Sequence, residues 1–403
     1  MVTSRAVARP DLARCASRAV LVGLLAVDDL LAAASAALGA TLTDPQDLGG
    51  SERSAVLRCR VVGGGTVVVK NYPGTAEGAK SFAAEAAGLA LAAQYGAGPR
   101  LLAASAPVRL VVMSDLGQAP SLADVLLAGS PAAAEAALLD WVRACGDLAA
   151  VTAGQQPELA ALLAAHRAAL AASGTQPAPN GPEPAAEGSA HWLERRIFQI
   201  PALLGELSLP APAGLAGDLA EVAGIVRPGQ PEVFSPGDIC PDNNLLTAGG
   251  VRFVDFESAE FHSVFLDAAY LRMPFSTCWC VFRLPERIAR TAEAAYRDRV
   301  GRVFPDLASD DRWRPGVRRA MAAWTLHAMS YLLDRSMAAD KSMIDDDRAA
   351  PTARQLLRYR WRWLVGELEP ASELESLCAL ARGLLAATEH WQVPELPLYP
   401  AFR

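Results

Sequence analysis

Three oxygen-bearing side chains fall within one short stretch, Phe234 to Asp255. Asp238 follows Gly237, Asn243 comes five residues after Asp238, and Asp255 closes an apolar run. Between them, Leu245-Leu246 and a second run ending in Val254 flank Gly249-Gly250, the pattern of a short hairpin with a glycine turn. A loop, a strand, a tight turn and a second strand bring such side chains to one point. Magnesium takes hard oxygen ligands, keeping one or two protein groups and completing its octahedron with phosphate oxygens and water. Asn243 and Asp255 are the candidate metal ligands, and Asp238 is left to accept the proton of an attacking hydroxyl. This is the division of labour in a kinase catalytic loop. Pro236 and Pro241 stiffen the loop, and Gly237 lets the backbone pass close to its neighbours.

A second pair lies far upstream. Lysine occurs only at positions 70, 80 and 341, in a chain whose other basic residues are arginine. Lys70 ends the run Val67-Val68-Val69, where an unpaired charge would be costly. Ala76 to Tyr95 reads as a helix, and it carries Glu85 fifteen residues after Lys70. Taken alone, the two are a surface lysine and a surface glutamate, worth little as a pair. Beside the 234–255 stretch, they match the strand lysine and helix glutamate that hold the α- and β-phosphates of a nucleotide.

The elements that must position these groups follow in order. Residues 1–40 read as a helical extension. Leu48 to Ser54 is a turn-rich loop, Ala55 to Val62 a strand, Gly63 to Gly65 a turn and Thr66 to Lys70 a second strand. Gly50 and Ser51 in the first loop are placed to bring backbone N–H groups to phosphates. There is no GxGxxG. Gly96 and Gly98-Pro99 stop the helix, and a strand from Val108 to Met113 follows. Beyond Ser121, an N-cap, the pattern is helical: 131–153, 157–171, around 191–207 and 214–226, then 285–340 and 351–390. Gly174 to Gly188 is a Pro/Gly-rich break.

The set resembles the aminoglycoside phosphotransferase and choline kinase-like (APH phosphotransferase enzyme) family. That family's signature is His-Gly-Asp, Asn five residues on, then Ile/Val-Asp-Phe/Trp-Glu or -Gly. Here it reads Pro236-Gly237-Asp238, Asn243 and Val254-Asp255-Phe256-Glu257, with Pro236 where the family has His. The resemblance covers residues 42–120 and 232–275. It implies an α+β, two-lobed protein-kinase-like fold: an antiparallel-sheet N-lobe over 41–117 and a larger helical C-lobe over 118–403, with the catalytic loop at 234–257 and an insertion at about 170–230. It implies ATP and Mg2+ as cofactors and a hinge, Met113-Ser114-Asp115-Leu116, against the adenine. Asp267, in Asp267-Ala268-Ala269, is expected as a structural cap that braces the catalytic loop. The expected activity is ATP-dependent phosphorylation of a hydroxyl on a small molecule. A nucleotide-binding pseudokinase acting as a regulator or scaffold is the alternative, and a non-catalytic helical interaction protein a further one. Asp267 follows Asp255 by only twelve residues, and no Ala-Pro-Glu closes the segment, so no long activation segment is available to dock a peptide.

Composition bounds the rest. A net charge of −7 argues against a nucleic-acid-binding surface, and 52% hydrophobic residues supply a large core. Seven scattered cysteines are not a disulfide framework, and Cys278-Trp279-Cys280 reads as buried core, not a zinc site. The five histidines show no ligand spacing, and none is assigned to catalysis. Arg14 and Arg18 precede a short apolar run that ends in Asp28-Asp29, read as helix and not as a signal segment. No run spans a membrane, and a cytoplasmic enzyme is expected. The run Asp345-Asp346-Asp347 reads as a solvated loop.

Overall fold

The computed structural model describes residues 24–51, 53–174, 191–227, 229–273, 275, 278–343 and 350–403. The first 23 residues of the expected extension, most of the 174–188 break and the 345–347 acidic run lie outside them.

The N-terminal part is a five-stranded antiparallel sheet. Its strands are β1 (Leu42–Ser51), β2 (Ser54–Val61), β3 (Thr66–Asn71), β4 (Leu101–Ser105) and β5 (Leu110–Ser114), in the order β1-β2-β3-β5-β4. Side chains alternate across the sheet, as the pleat requires. Val67, Val69, Leu110 and Val112 face one side, and helix α1 (Val27–Leu38) covers them with Leu30 and Ala34. Asn71 anchors the approach to α1: its Oδ1 accepts from the Leu25 N–H at 3.1 Å while its Nδ2 donates to the Val108 carbonyl at 2.7 Å. Val111 and Met113 face the other side, towards helix α2 (Ala76–Gln94) and the rest of the molecule.

The sheet departs from the expected outline at its start. Leu48 to Ser51, expected in a loop, belong to β1, and Ser51 pairs with Ser54 across a two-residue turn. Glycine depresses strand propensity, which hid β1 from a reading of residue types. Gly50 is admitted because its φ is +136°, and a Cβ there would meet the Ser54 carbonyl at 2.3 Å.

The remainder is mainly helical. Helices α3 (Leu122–Ala128), α4 (Pro131–Val151), α5 (Gln156–Ala172), α6 (Trp192–Phe198), α7 (Ile200–Glu206) and α8 (Leu215–Ala223) precede the catalytic stretch. Helix α3 opens with a capping box between Ser121 and Asp124. After that stretch come α9 (Val264–Arg272), α10 (Glu286–Val300), α11 (Asp310–Ala338), α12 (Ala353–Leu368) and α13 (Glu375–Ala387). Helix α11 is the spine: Trp313, Met321, Trp324 and Leu333 are buried along it, and α6 to α9 and α12 pack around them. The fold is the two-lobed, protein-kinase-like α+β arrangement. No helix among the described residues is long and apolar enough to cross a membrane.

Helix α1 is a structural lid on the sheet. Leu30→Ala should destabilise the protein by about 2–4 kcal/mol, the usual result of emptying a buried leucine site. Chemical denaturation checks this; a loss below measurement error would mean that α1 detaches in solution.

Candidate active site

The catalytic stretch enters on β6 (Glu232–Ser235), which pairs antiparallel with β9 (Glu260–Ser263). Between them lies the small hairpin β7 (Asn244–Thr247) and β8 (Gly250–Phe253). Asp255 stands two residues past β8, not on the strand as its apolar approach suggested. Gly237 is required by the turn. Its φ is +87°, and a Cβ would meet the Ser258 carbonyl at 2.1 Å, so the loop lies hard against the segment after Asp255.

Lys70 is the electrostatic centre. Its ammonium is buried and meets Glu85 Oε2 at 3.0 Å, Asp255 Oδ1 at 2.9 Å and Glu257 Oε2 at 3.3 Å. Burial alone would drive off its proton, but the three carboxylates reverse that and hold its pKa well above the ordinary range. Glu85 Oε2 also accepts from the Tyr72 hydroxyl at 2.9 Å and the Phe256 N–H at 3.1 Å. Burial pushes the Glu85 carboxyl up to about 7 against the pull of Lys70 and these bonds. Thus α2 in one lobe is hydrogen-bonded to the Asp255-Phe256-Glu257 segment of the other. The packing is equally close: a Cβ on Gly88 would meet Ala259 Cβ at 2.6 Å and Phe256 Cβ at 2.9 Å.

Asp238, Asn243 and Asp255 line one cleft with Lys70, Gly50 and the hinge, a cavity of about 900 Å³. Asn243 turns its Nδ2 to the Asp238 carbonyl at 3.3 Å, which leaves Oδ1 as an oxygen donor. Asp255 uses Oδ1 for Lys70 and for the Glu257 N–H, leaving Oδ2. Two hard oxygens beside open cleft fit magnesium. Burial and then the neighbouring Asp255 charge push the Asp238 carboxyl up to about 6.

At the hinge, Met113, Ser114, Asp115 and Leu116 all line the cleft. The Asp115 side chain is engaged elsewhere: it accepts from Arg58 Nε and Thr66 Oγ1, each at 2.7 Å. Burial opposes its ionisation, but these bonds prevail and hold the carboxyl below the usual range. Asp115 therefore ties the hinge to β2 and β3, and only its backbone remains for a ligand.

Several working residues were not singled out by type and spacing. Glu257 sits in the quoted motif, yet its bond to Lys70 needed the fold. His262, unassigned in the sequence, is buried with Nε2 2.8 Å from Asp267 Oδ1 and Nδ1 3.8 Å from Glu260. Asp267 also accepts from Ser235 Oγ at 3.3 Å, and Ser235 Oγ accepts from the Gly237 N–H at 3.2 Å. Asp267 thus braces the catalytic loop as expected, but it caps no helix; Ser263 precedes α9 without a side-chain cap. Cys278 and Cys280 are buried in the core as expected, but two of the seven cysteines are paired. Cys240, in the catalytic loop, forms a disulfide with Cys278, with Cα atoms 5.8 Å apart. The 38-residue separation hid the pair, and Cys280 stays buried outside this disulfide. Trp279 packs against the core, lines the cleft and donates from Nε1 to Asp242 Oδ2 at 2.8 Å. No described residue of 191–227 lines the cleft. A second groove, about 790 Å³, lies on the helical lobe, but it holds none of these groups and its Arg272 and Arg297 are neutralised by Glu293, Glu367 and Asp310.

Residues 45–313 match the model of the phosphotransferase enzyme family, so the chain belongs to that family, whose fold it carries. Among solved structures it is similar to a choline/ethanolamine kinase family protein from Mesorhizobium loti, at 16% identity and a TM-score of 0.45, covering 84% of this chain and 92% of that one. It is similar to a macrolide 2′-phosphotransferase from Brachybacterium faecium, at 18% identity and a TM-score of 0.46, covering 80% and 100%. A choline kinase from Cryptosporidium parvum aligns at 8% identity and a TM-score of 0.49, covering 84% and 93%. No curated protein sequence matches the chain.

The buried imidazole has a pH signature. Burial lowers the His262 pKa, but Asp267 and Glu260 outweigh it and raise it from 6.5 to about 10. A folded pKa above the unfolded one gives stability that is full below pH 6.5 and is lost as pH rises through about 10. The melting temperature of the wild type should therefore fall over that window, and that of His262→Gln should fall less. Parallel curves for the two proteins would show that His262 is not held as an imidazolium.

Proposed function

We propose that the protein transfers the γ-phosphoryl group of ATP to a hydroxyl of a small molecule, with Mg2+, in the cytoplasm. The observation that carries this reading is the Lys70 cluster. A buried ammonium bonded to a helix glutamate and to Asp255 beside an open cleft is the phosphate-binding arrangement of kinases. Gly50 and the hinge backbone at Met113, Ser114, Asp115 and Leu116 would seat the nucleotide, with Ser51 holding the turn above it. Asn243 and Asp255 would hold magnesium, which supplies charge neutralisation on the phosphate oxygens. Asp238 would take the acceptor proton as the acceptor oxygen bonds to phosphorus and the bond to ADP breaks. A carboxyl raised to about 6 is a better match to a hydroxyl proton than an ordinary one while remaining ionised at neutral pH. Catalysis would rest on positioning and charge, as in other phosphoryl transfers. The eleven residues between Asp255 and Asp267 leave no peptide-docking segment, which supports a small acceptor over a protein. The matched family lends no weight to a pseudokinase role.

The two aspartates should separate under mutation. Asp238→Ala should keep Mg-ATP affinity and lose turnover on any acceptor found by screening metabolites and antibiotics. Asp255→Ala should weaken Mg-ATP binding in calorimetry as well as turnover. Retained turnover in Asp238→Ala would remove the base assignment, and wild-type protein that binds no millimolar Mg-ATP would remove the kinase reading. In wild type, kcat/KM should rise with pH through about 6 and level off above, following Asp238 ionisation; a flat acid limb would assign the proton elsewhere.

A further inference from the structure

Arg53 stands at the tip of the two-residue turn between β1 and β2, directly before Ser54. Its Nη1 reaches across the cleft to Glu257 Oε1 at 3.2 Å. The other oxygen of Glu257 meets Lys70 at 3.3 Å, so one buried carboxylate of the C-lobe segment carries two cations of the N-lobe sheet, one on β3 and one at the β1–β2 turn. The two cations differ in freedom. The Lys70 side chain is 6% exposed and fixed by three carboxylates, whereas that of Arg53 is 66% exposed on a flexible stem. Glu257 stands two residues after Asp255, and Arg53 lines the same cleft as Asp238 and Asp255. Arg58, the other arginine on the cleft wall, is committed to Asp115 through two bonds and to the Gly117 carbonyl.

Charge balance makes the position informative. Three carboxyl groups, those of Glu85, Asp255 and Glu257, already surround Lys70. A triphosphate adds further negative charge, which spreads over the equatorial oxygens of the transferring group. A planar guanidinium has five N–H donors in a rigid fork, so it can keep one edge on a carboxylate and offer another to a phosphoryl oxygen.

We propose that Arg53 is a catalytic residue that binds the transferring phosphoryl group from above, with Glu257 as the carboxylate that positions it. This rests on the ATP-dependent reading of the cleft. In the step, the bond between γ-phosphorus and the bridging oxygen breaks and its electron pair leaves with ADP. The acceptor oxygen forms the new bond to phosphorus, and its proton goes to Asp238. Arg53 exchanges no proton; it offsets charge on the three oxygens that stay on phosphorus.

The test needs no acceptor. Mg-ADP with aluminium fluoride mimics the planar transferring group, and its binding is measured by calorimetry against Mg-ADP alone. Wild type should bind Mg-ADP more tightly when fluoroaluminate is present. Arg53→Ala should melt at the wild-type temperature, keep its affinity for Mg-ADP, and lose about ten- to a hundredfold of the fluoroaluminate gain, the worth of a hydrogen bond to a charged group. Arg53→Lys should recover part of it. Arg53→Ala that keeps the full gain, or wild type that binds Mg-ADP and gains nothing, would overturn the proposal while leaving the nucleotide reading intact. Wild type that binds no Mg-ADP would overturn both.

Discussion

The bond from Lys70 to its carboxylates is the constraint on which the two-lobed structure turns. An ammonium taken out of water loses several kcal/mol of hydration, and only close, hydrogen-bonded partners restore it. Here those partners come from three places: Glu85 on the N-lobe helix, and Asp255 and Glu257 on the segment that leaves the C-lobe hairpin. None can withdraw without leaving charge buried and unmatched. The lobes are therefore registered by electrostatics at the point where a nucleotide's phosphates would lie. Apolar packing reinforces the register, with Phe256 pressed against Gly88 and Gly98, positions where any side chain would collide with it.

The catalytic loop depends on a second polar network, fully buried and separate from the first. Where related sequences carry His before Gly-Asp, this chain has Pro236, which has no side-chain donor. The support comes from behind: His262 holds Asp267, Asp267 holds Ser235, and Ser235 holds the Gly237 N–H one residue before Asp238. The Cys240–Cys278 disulfide adds a covalent tie between the same loop and the segment bearing Trp279. A loop clamped on both flanks can hold its aspartate in one place, and positioning is what this chemistry demands of a protein.

The cleft is asymmetric. Its inner end is built by the sheet, the hinge and Lys70, and follows the family pattern. Its outer end is built by Asp242, Cys278 and Trp279, downstream of the hairpin, and not by helices α6 to α8, which pack against α11 instead.

Residue types and spacing by themselves determined a candidate set of residues that line one cleft, and much of the scaffold. Asp238, Asn243 and Asp255 were legible because a glycine-turn hairpin fixes their separation, and Lys70 because a lysine ending a valine run must find a partner. The helices were legible because apolar residues recur at helical spacing over long stretches, and the β2–β3 hairpin because its glycines mark the turn. Whatever depended on contacts between distant segments was decided by tertiary structure alone. The β1 strand is specified by pairing with β2, not by its own glycine-bearing residues. His262 and Asp267 lie five residues apart, but Ser235 joins them only when β6 meets β9. Cys240 and Cys278 are adjacent only once the segment after α9 folds back over the loop. Glu257 becomes a shared ligand of Lys70 and Arg53 only when the two lobes meet. Local sequence fixes φ, ψ and periodicity over a few residues; the partners of a buried charge are chosen by where the whole chain brings its opposite.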